Sequence, residues 1–332
     1  MTTLTLLILV VAAALVFDFI NGFHDTANAI ATVVSTGVLR PRTAVLMAAA
    51  FNIVGAFLGT AVATTIGKDL LDPAQVTQQL VLSALLAAIA WNLFTWWFGL
   101  PSSSSHALVG GLVGAGYLHA GWDSINPTGV EKVVLALVVS PFFGFAAAFV
   151  GMIGTFWVVR RMRPARINVV FRKLQLASAA LMAVSHGQND AQKTMGVITM
   201  ALVSYTGSID PAGKFPVPFW VVIACALAMG LGTAAGGWRI IHTMGSKIFK
   251  LRPIHGFCAE TSAALVLQVC SHFGLPTSTT HCITSAIMGA GATTRLSAVS
   301  WGVTRRILTA WILTIPVSAA LGAACFSALR NV

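Results

Sequence analysis

A seven-residue pattern occurs twice inside runs that are otherwise apolar: Gly22-Phe-His-Asp-Thr-Ala-Asn28 and Gly187-Gln-Asn-Asp-Ala-Gln-Lys193. Superposing the two sets Asp25 opposite Asp190 and Asn28 opposite Lys193. An ionisable group at the centre of a bilayer-spanning helix costs roughly 2.5–3.5 kcal/mol on insertion scales, so it persists only where it faces a cavity or a partner. Two spaced copies of such a group make an isolated polar patch a poor explanation. The fold has to place both copies in an interior that can satisfy them.

Composition fixes the surroundings. Hydrophobic residues form 57% of the chain and charged residues 9%, against roughly 25% charged in soluble domains. This is a polytopic membrane protein. The net charge of +11 comes from short basic clusters between apolar runs, a juxtamembrane pattern that argues against a nucleic-acid partner. Cys225, Cys258, Cys270, Cys282 and Cys325 lie in apolar segments without CxxC spacing, so they read as small buried hydrophobes. No metal ligand set and no cofactor are expected. The absence of Lys or Arg before Arg40 makes residues 4–20 the start of a retained span, not a signal peptide.

Spans of about 20 apolar residues divide the chain. Residues 4–38 read as a broken helix containing the first heptapeptide, 43–66 as a second span, and 79–98 as a Trp-rich run ending in Gly99-Leu-Pro-Ser-Ser-Ser-Ser-His106. A short helix 106–120 and a long run 133–159 follow. The basic segment from Arg160 to Lys173 marks the boundary between halves, 1–173 and 174–332. The second half repeats the plan, with a broken helix 174–206, a loop 207–218, a span 217–237 and a basic loop 239–252. Gly274-Leu-Pro-Thr-Ser-Thr-Thr-His281 then matches the first special turn position for position, and a final span covers 300–327.

If each broken helix crosses fully and each Pro-turn-His unit re-enters on its own side, fifteen of the twenty Lys and Arg residues fall on one face. The loop acids Asp69, Asp72, Asp123, Glu131 and Asp210 fall on the other. The basic face is then cytoplasmic and the N-terminus outside. The halves enter from opposite sides. The expected fold is therefore an all-α inverted-topology repeat with two broken helices and two re-entrant helical hairpins, with the substrate held near the midplane.

The hydroxyl turns supply the chemistry. Ser103, Ser104 and Ser105, and Ser278, Thr279 and Thr280, precede helices whose N-termini offer free N–H groups and partial positive charge. Two such ends meeting at the midplane make a site for an oxyanion such as phosphate or sulfate. His106 and His281 close the turns, contacting either substrate or hairpin backbone. Asp25 and Asp190 beside an anion call for a coupling cation, with Asn21, His24, Asn28, Asn189 and Lys193 around them. An ammonium at position 193 would occupy the place of a Na⁺ beside Asp190, and His24 is a residue of the type that can take up or release a proton in coupling. Proton coupling is the preferred expectation and Na⁺ coupling the alternative. Asp18 and Glu260 lack counterparts in the other half and read as structural, Glu260 in contact with a basic residue. An intramembrane hydrolase is disfavoured because neither GxSxG nor HExxH occurs and the Ser/His pairs are duplicated.

The two heptapeptides, extended to His186-Gly-Gln-Asn-Asp-Ala-Gln-Lys-Thr-Met-Gly196, together with the paired Pro-hydroxyl-His turns, resemble the signature repeats of the inorganic phosphate transporter (PiT) family over nearly the whole chain. The resemblance implies a homodimeric symporter in the bacterial cytoplasmic membrane, with phosphate between the hydroxyl turns and the Asp motifs handling the coupling ion. The His24-Asp25 form resembles proton-coupled members, some of which carry phosphate as a neutral metal complex. A minority of relatives resemble sulfate permeases.

Overall fold

In hydrocarbon each backbone polar group must be satisfied within its own segment, so the apolar runs form helices. The computed structural model describes residues 3–207 and 215–331, which excludes the loop residues Asp210 and Lys214; among the described residues there is no β-strand. The first half contains α1 (Thr3–Ser35), α2 (Pro41–Ala56), α3 (Ala61–Thr64), α4 (Gln78–Trp97), α5 (Ser104–Ala120) and α6 (Pro127–Val159). The second contains α7 (Pro164–Thr206), α8 (Phe219–Ala235), α9 (Trp238–His242), α10 (Pro253–His272), α11 (Thr279–Ala292) and α12 (Trp301–Leu329). Each half thus runs helix, bent pair, hairpin, helix. Among the described residues, five helices alone are long and apolar enough to cross a membrane, and seven spans result if each bent pair counts as one.

The breaks do not fall where the sequence placed them. Both heptapeptides lie on continuous helices, α1 and α7, because their polar side chains find partners on neighbouring elements and leave the backbone ladder intact. The chain bends one element later, by 68° between α2 and α3 and by 62° between α8 and α9. Each short helix then runs into a π turn, Thr65–Asp69 or Thr243–Lys247. The basic boundary segment is also more ordered than a loop. Pro164 starts α7, a favoured position for proline, so Arg166, Arg172 and Lys173 ride on helix.

The halves interlock instead of standing apart. α1 packs on α8 and α2 on α7, while α12 lies against α5 and α6 against α11. Glycine permits the first two approaches. A Cβ on Gly22 would lie 2.4 Å from the Met229 carbonyl oxygen, and one on Gly187 would lie 2.2 Å from that of Asn52. The heptapeptides open with glycine because another backbone runs past them.

Among the described residues, two large apolar clusters fill the interior, with a smaller third around Met152, Phe171 and Ile254. One large cluster holds Val10, Ala14 and Phe17 of α1 with Met195, Ile198 and Ala201 of α7. The other holds Ala27, Ile30 and Val33 of α1 with Ala179, Met182 and Ala183 of α7. Both helices therefore pass from one cluster to the other in opposite directions, and Asp25 and Asp190 sit at the junction.

Candidate functional site

The hairpin turns form from the same local chemistry in both halves. Gly99 and Gly274 have φ of 63° and 64°, the left-handed conformation that ends α4 and α10. The returning helices are capped by Ser103 and Ser278, whose Oγ atoms accept from the His106 and His281 amides at 3.2 Å each. Of the six hydroxyls expected to bind substrate, these two therefore serve as N-caps. Thr65 donates to the Gly274 carbonyl at 2.7 Å and Thr243 to that of Gly99 at 2.9 Å. Each π turn thereby holds the hairpin of the opposite half.

The motif helices reach across to the same turns. Asn28 donates to the Thr279 and Thr280 hydroxyls at 3.2 and 3.0 Å. Its counterpart Lys193 donates to the Ser105 hydroxyl at 2.5 Å and the Thr277 carbonyl at 2.8 Å, and forms a close ion pair with Asp190 Oδ1. The ammonium has three N–H groups and three oxygen partners. Asp190 also accepts from Asn189 at 3.0 Å and Thr279 at 3.1 Å, and lies 3.2 Å from His186 Nε2. Asn189 further donates to the Thr277 carbonyl at 2.9 Å.

The first half is arranged differently. His24 Nδ1 lies 2.6 Å from Asp25 Oδ1, and its Nε2 lies 3.0 Å from Thr95 Oγ1, which accepts from Ser102 at 2.8 Å. Asn21 Oδ1, Asn28 Oδ1 and Ser104 Oγ are buried without a hydrogen-bond partner among the described residues. Every residue expected at the site is buried, and all lie on α1, α7 or the two turns. What these atoms offer is a mixed set: hydroxyls and amides for an oxyanion, and carboxylates for a cation.

Several participants were not assigned a role from sequence. His186 lies four residues before Asp190 on the same helix face, a signal legible in the motif itself. Asn52 backs it, 3.1 Å from His186 Nδ1 and donating to Thr233 at 2.8 Å. Thr277 and Ser102 belong to the hydroxyl runs, one position ahead of those chosen. Thr95 is a single hydroxyl in a Trp-rich helix and carries no sequence signal. Although no metal ligands are apparent in the sequence, the fold brings Asp25, His186 and Asp190 together with ligand atoms within 4.8 Å of one another.

Three further side chains and pairs have defined surroundings. Among the described residues Glu260 pairs with no basic residue; it accepts from the Thr32 and Ser178 hydroxyls and from Gln175 at 3.3 Å, tying α10 to α1 and α7. Asp18 accepts from Thr194 at 3.0 Å. His106 and His281 stack on one another at 4.4 Å, and His281 on Trp311 at 3.8 Å.

A model of the phosphate transporter family matches residues 21–166 and 160–322. A probable low-affinity inorganic phosphate transporter of Rhizobium meliloti is 52% identical over 97% of this chain and 96% of its own length. One of Bacillus subtilis is 47% identical over 99% and 98%. A solved structure titled as the sodium-dependent phosphate transporter superposes with a TM-score of 0.89 at 27% identity, covering 99% of this chain and all of that one. With both halves matched by the family model and relatives of near-equal length, the chain belongs to the phosphate transporter family, a family of transporters and not of enzymes.

Proposed function

We propose that this protein imports inorganic phosphate across the bacterial cytoplasmic membrane by proton symport, with its N-terminus outside and residues 1–173 and 174–332 as inverted repeats. The anion sits between the hydroxyl turns, with Ser104 and Thr280 as donors and with Ser105 and Thr279 turning their single O–H groups to it from the Thr277 carbonyl and Asp190, while Ser103 and Ser278 hold the helix ends that face it. Phosphate near neutral pH can still donate a hydrogen bond. Buried carboxylate and amide acceptors beside the turns favour it over sulfate, which cannot.

The observation that carries the coupling is the seat of Lys193. Its ammonium is surrounded by Asp190, Ser105 and the Thr277 carbonyl, an all-oxygen set of the kind Na⁺ takes. A covalently held cation there removes the need for a bound Na⁺, and the His24–Asp25 pair supplies a place for a proton. The sodium-dependent structural neighbour makes Na⁺ symport the competing mechanism. A homodimer is carried over from the family resemblance; mass photometry in nanodiscs tests it.

A second reading has a specific observation behind it. Asp25, His186 and Asp190 could receive a divalent cation travelling with phosphate as a neutral complex. Uptake of labelled Mn²⁺ at a fixed ratio to phosphate supports it, and phosphate uptake unaffected by chelator rejects it. The substrate itself is tested by counterflow in liposomes with labelled phosphate against excess sulfate. Sulfate should compete poorly; competition as effective as that of unlabelled phosphate overturns the choice of anion.

A further inference from the structure

The π turn that holds the first hairpin also builds a basic pocket that the transport site does not use. A cavity of about 410 Å³ opens where the end of α4 meets α9, lined by Trp97, Trp238, Arg239, His242 and Lys247. That volume falls in the range of small-ligand sites, roughly 300–1,000 Å³. Arg239 is fixed in place: its guanidinium lies 4.5 Å from the Trp97 ring centroid and 5.3 Å from that of Trp96, and one N–H donates to the Trp97 carbonyl. One bond leaves most of its five donors uncommitted. Among the described residues, no carboxylate forms an ion pair with Arg239, His242 or Lys247.

The repeat shows that this chemistry is local. Thr65-Ile-Gly67 of the first half matches Thr243-Met-Gly245, and both threonines hold a turn glycine. The residues matching Arg239, His242 and Lys247 are Ala61, Thr64 and Asp69. Holding the hairpin therefore needs none of the three cations. General attraction of basic residues to one membrane face would not require a guanidinium held against two indole rings.

We propose that this pocket binds the phosphate headgroup of an anionic phospholipid. Arg239 would grip phosphate oxygens in the bidentate manner its planar fork allows, with Lys247 adding charge. The rim identifies a lipid over a free anion. Trp97, Phe98 and Trp238 are 61%, 62% and 47% exposed, large aromatic surfaces of the kind that settle at the headgroup level of a bilayer, where acyl chains can lie against them. Because Gly99 lines the pocket and accepts from Thr243, a lipid bound there touches the support of the first hydroxyl turn.

Native mass spectrometry of the purified protein in neutral detergent, titrated with short-chain phosphatidylglycerol or phosphatidylcholine, tests this. Phosphatidylglycerol should bind in preference, with affinity falling about fivefold per charge removed in Lys247→Gln and about 25-fold in Arg239→Gln/Lys247→Gln. Arg239→Lys, which keeps charge but loses the fork, should fall between the unmodified protein and the double variant. Arg161→Gln/Arg163→Gln, removing two charges elsewhere on the basic face, should leave binding unchanged. Excess inorganic phosphate should not displace the lipid. Equal losses in both double variants would reduce the effect to general charge attraction, and displacement by phosphate would make the pocket a free-anion site. Either result, or equal binding of phosphatidylcholine, overturns the proposal.

Discussion

Replacing Lys193 by methionine keeps an unbranched apolar stem of similar volume and removes the ammonium. Three hydrogen bonds go with it, to Asp190, Ser105 and the Thr277 carbonyl. Removing one member of a buried ion pair costs about 3–5 kcal/mol, because the remaining charge stays desolvated. Asp190 retains Asn189, Thr279 and His186 as neighbours, which places the expected loss at the lower end, about 3 kcal/mol. At about 2 °C per kcal/mol for a chain of this size or larger, thermal unfolding in detergent should shift down by about 6 °C. Should the ammonium stand where a Na⁺ would bind, Na⁺ should restore part of that loss in the variant, relative to choline, and leave the unmodified protein unaffected. An unchanged unfolding temperature refutes the structural weight given to the pair. Equal stabilisation of both proteins by Na⁺ refutes the substitution of ammonium for ion.

Ser104→Ala removes a buried hydroxyl with no hydrogen-bond partner among the described residues, so phosphate affinity should weaken by about 1–3 kcal/mol with little change in abundance; unchanged half-saturation in uptake assays places the anion elsewhere. Thr279→Ala removes a donor to Asp190 as well, and should lower both affinity and thermal stability. Gly187→Ala puts a methyl group 2.2 Å from the Asn52 carbonyl oxygen, forcing α2 and α7 apart, and should sharply reduce the folded yield judged by size-exclusion chromatography; a normal yield would show that the helices can yield at little cost.

The repeat was legible because it is written twice in unusual residues. Polar heptapeptides in apolar runs and hydroxyl turns before helices leave few alternatives to paired hairpins meeting at a polar centre. The location of the breaks was not legible. A polar residue in a span signals a need for partners, which a continuous helix meets as well as a broken one when its neighbours supply them, as Thr279 and Thr95 do here. The true bends follow Gly59 and Gly236, with φ of 136° and 75°, but isolated glycines are common in membrane helices and do not announce a break. Glu260 shows the same limit. A lone acid predicts a basic partner, whereas two hydroxyls and an amide from two other helices satisfied it, a combination that no local pattern encodes.

The central claim, proton-driven phosphate transport with Lys193 in place of a sodium ion, is tested most directly by gradient-driven uptake in proteoliposomes. An inward proton gradient in Na⁺-free buffer should drive labelled phosphate above its equilibrium level, with added Na⁺ changing little. His24→Asn combined with Lys193→Asn should abolish the dependence on the proton gradient. Accumulation by the unmodified protein that requires Na⁺ and ignores the proton gradient would contradict the account.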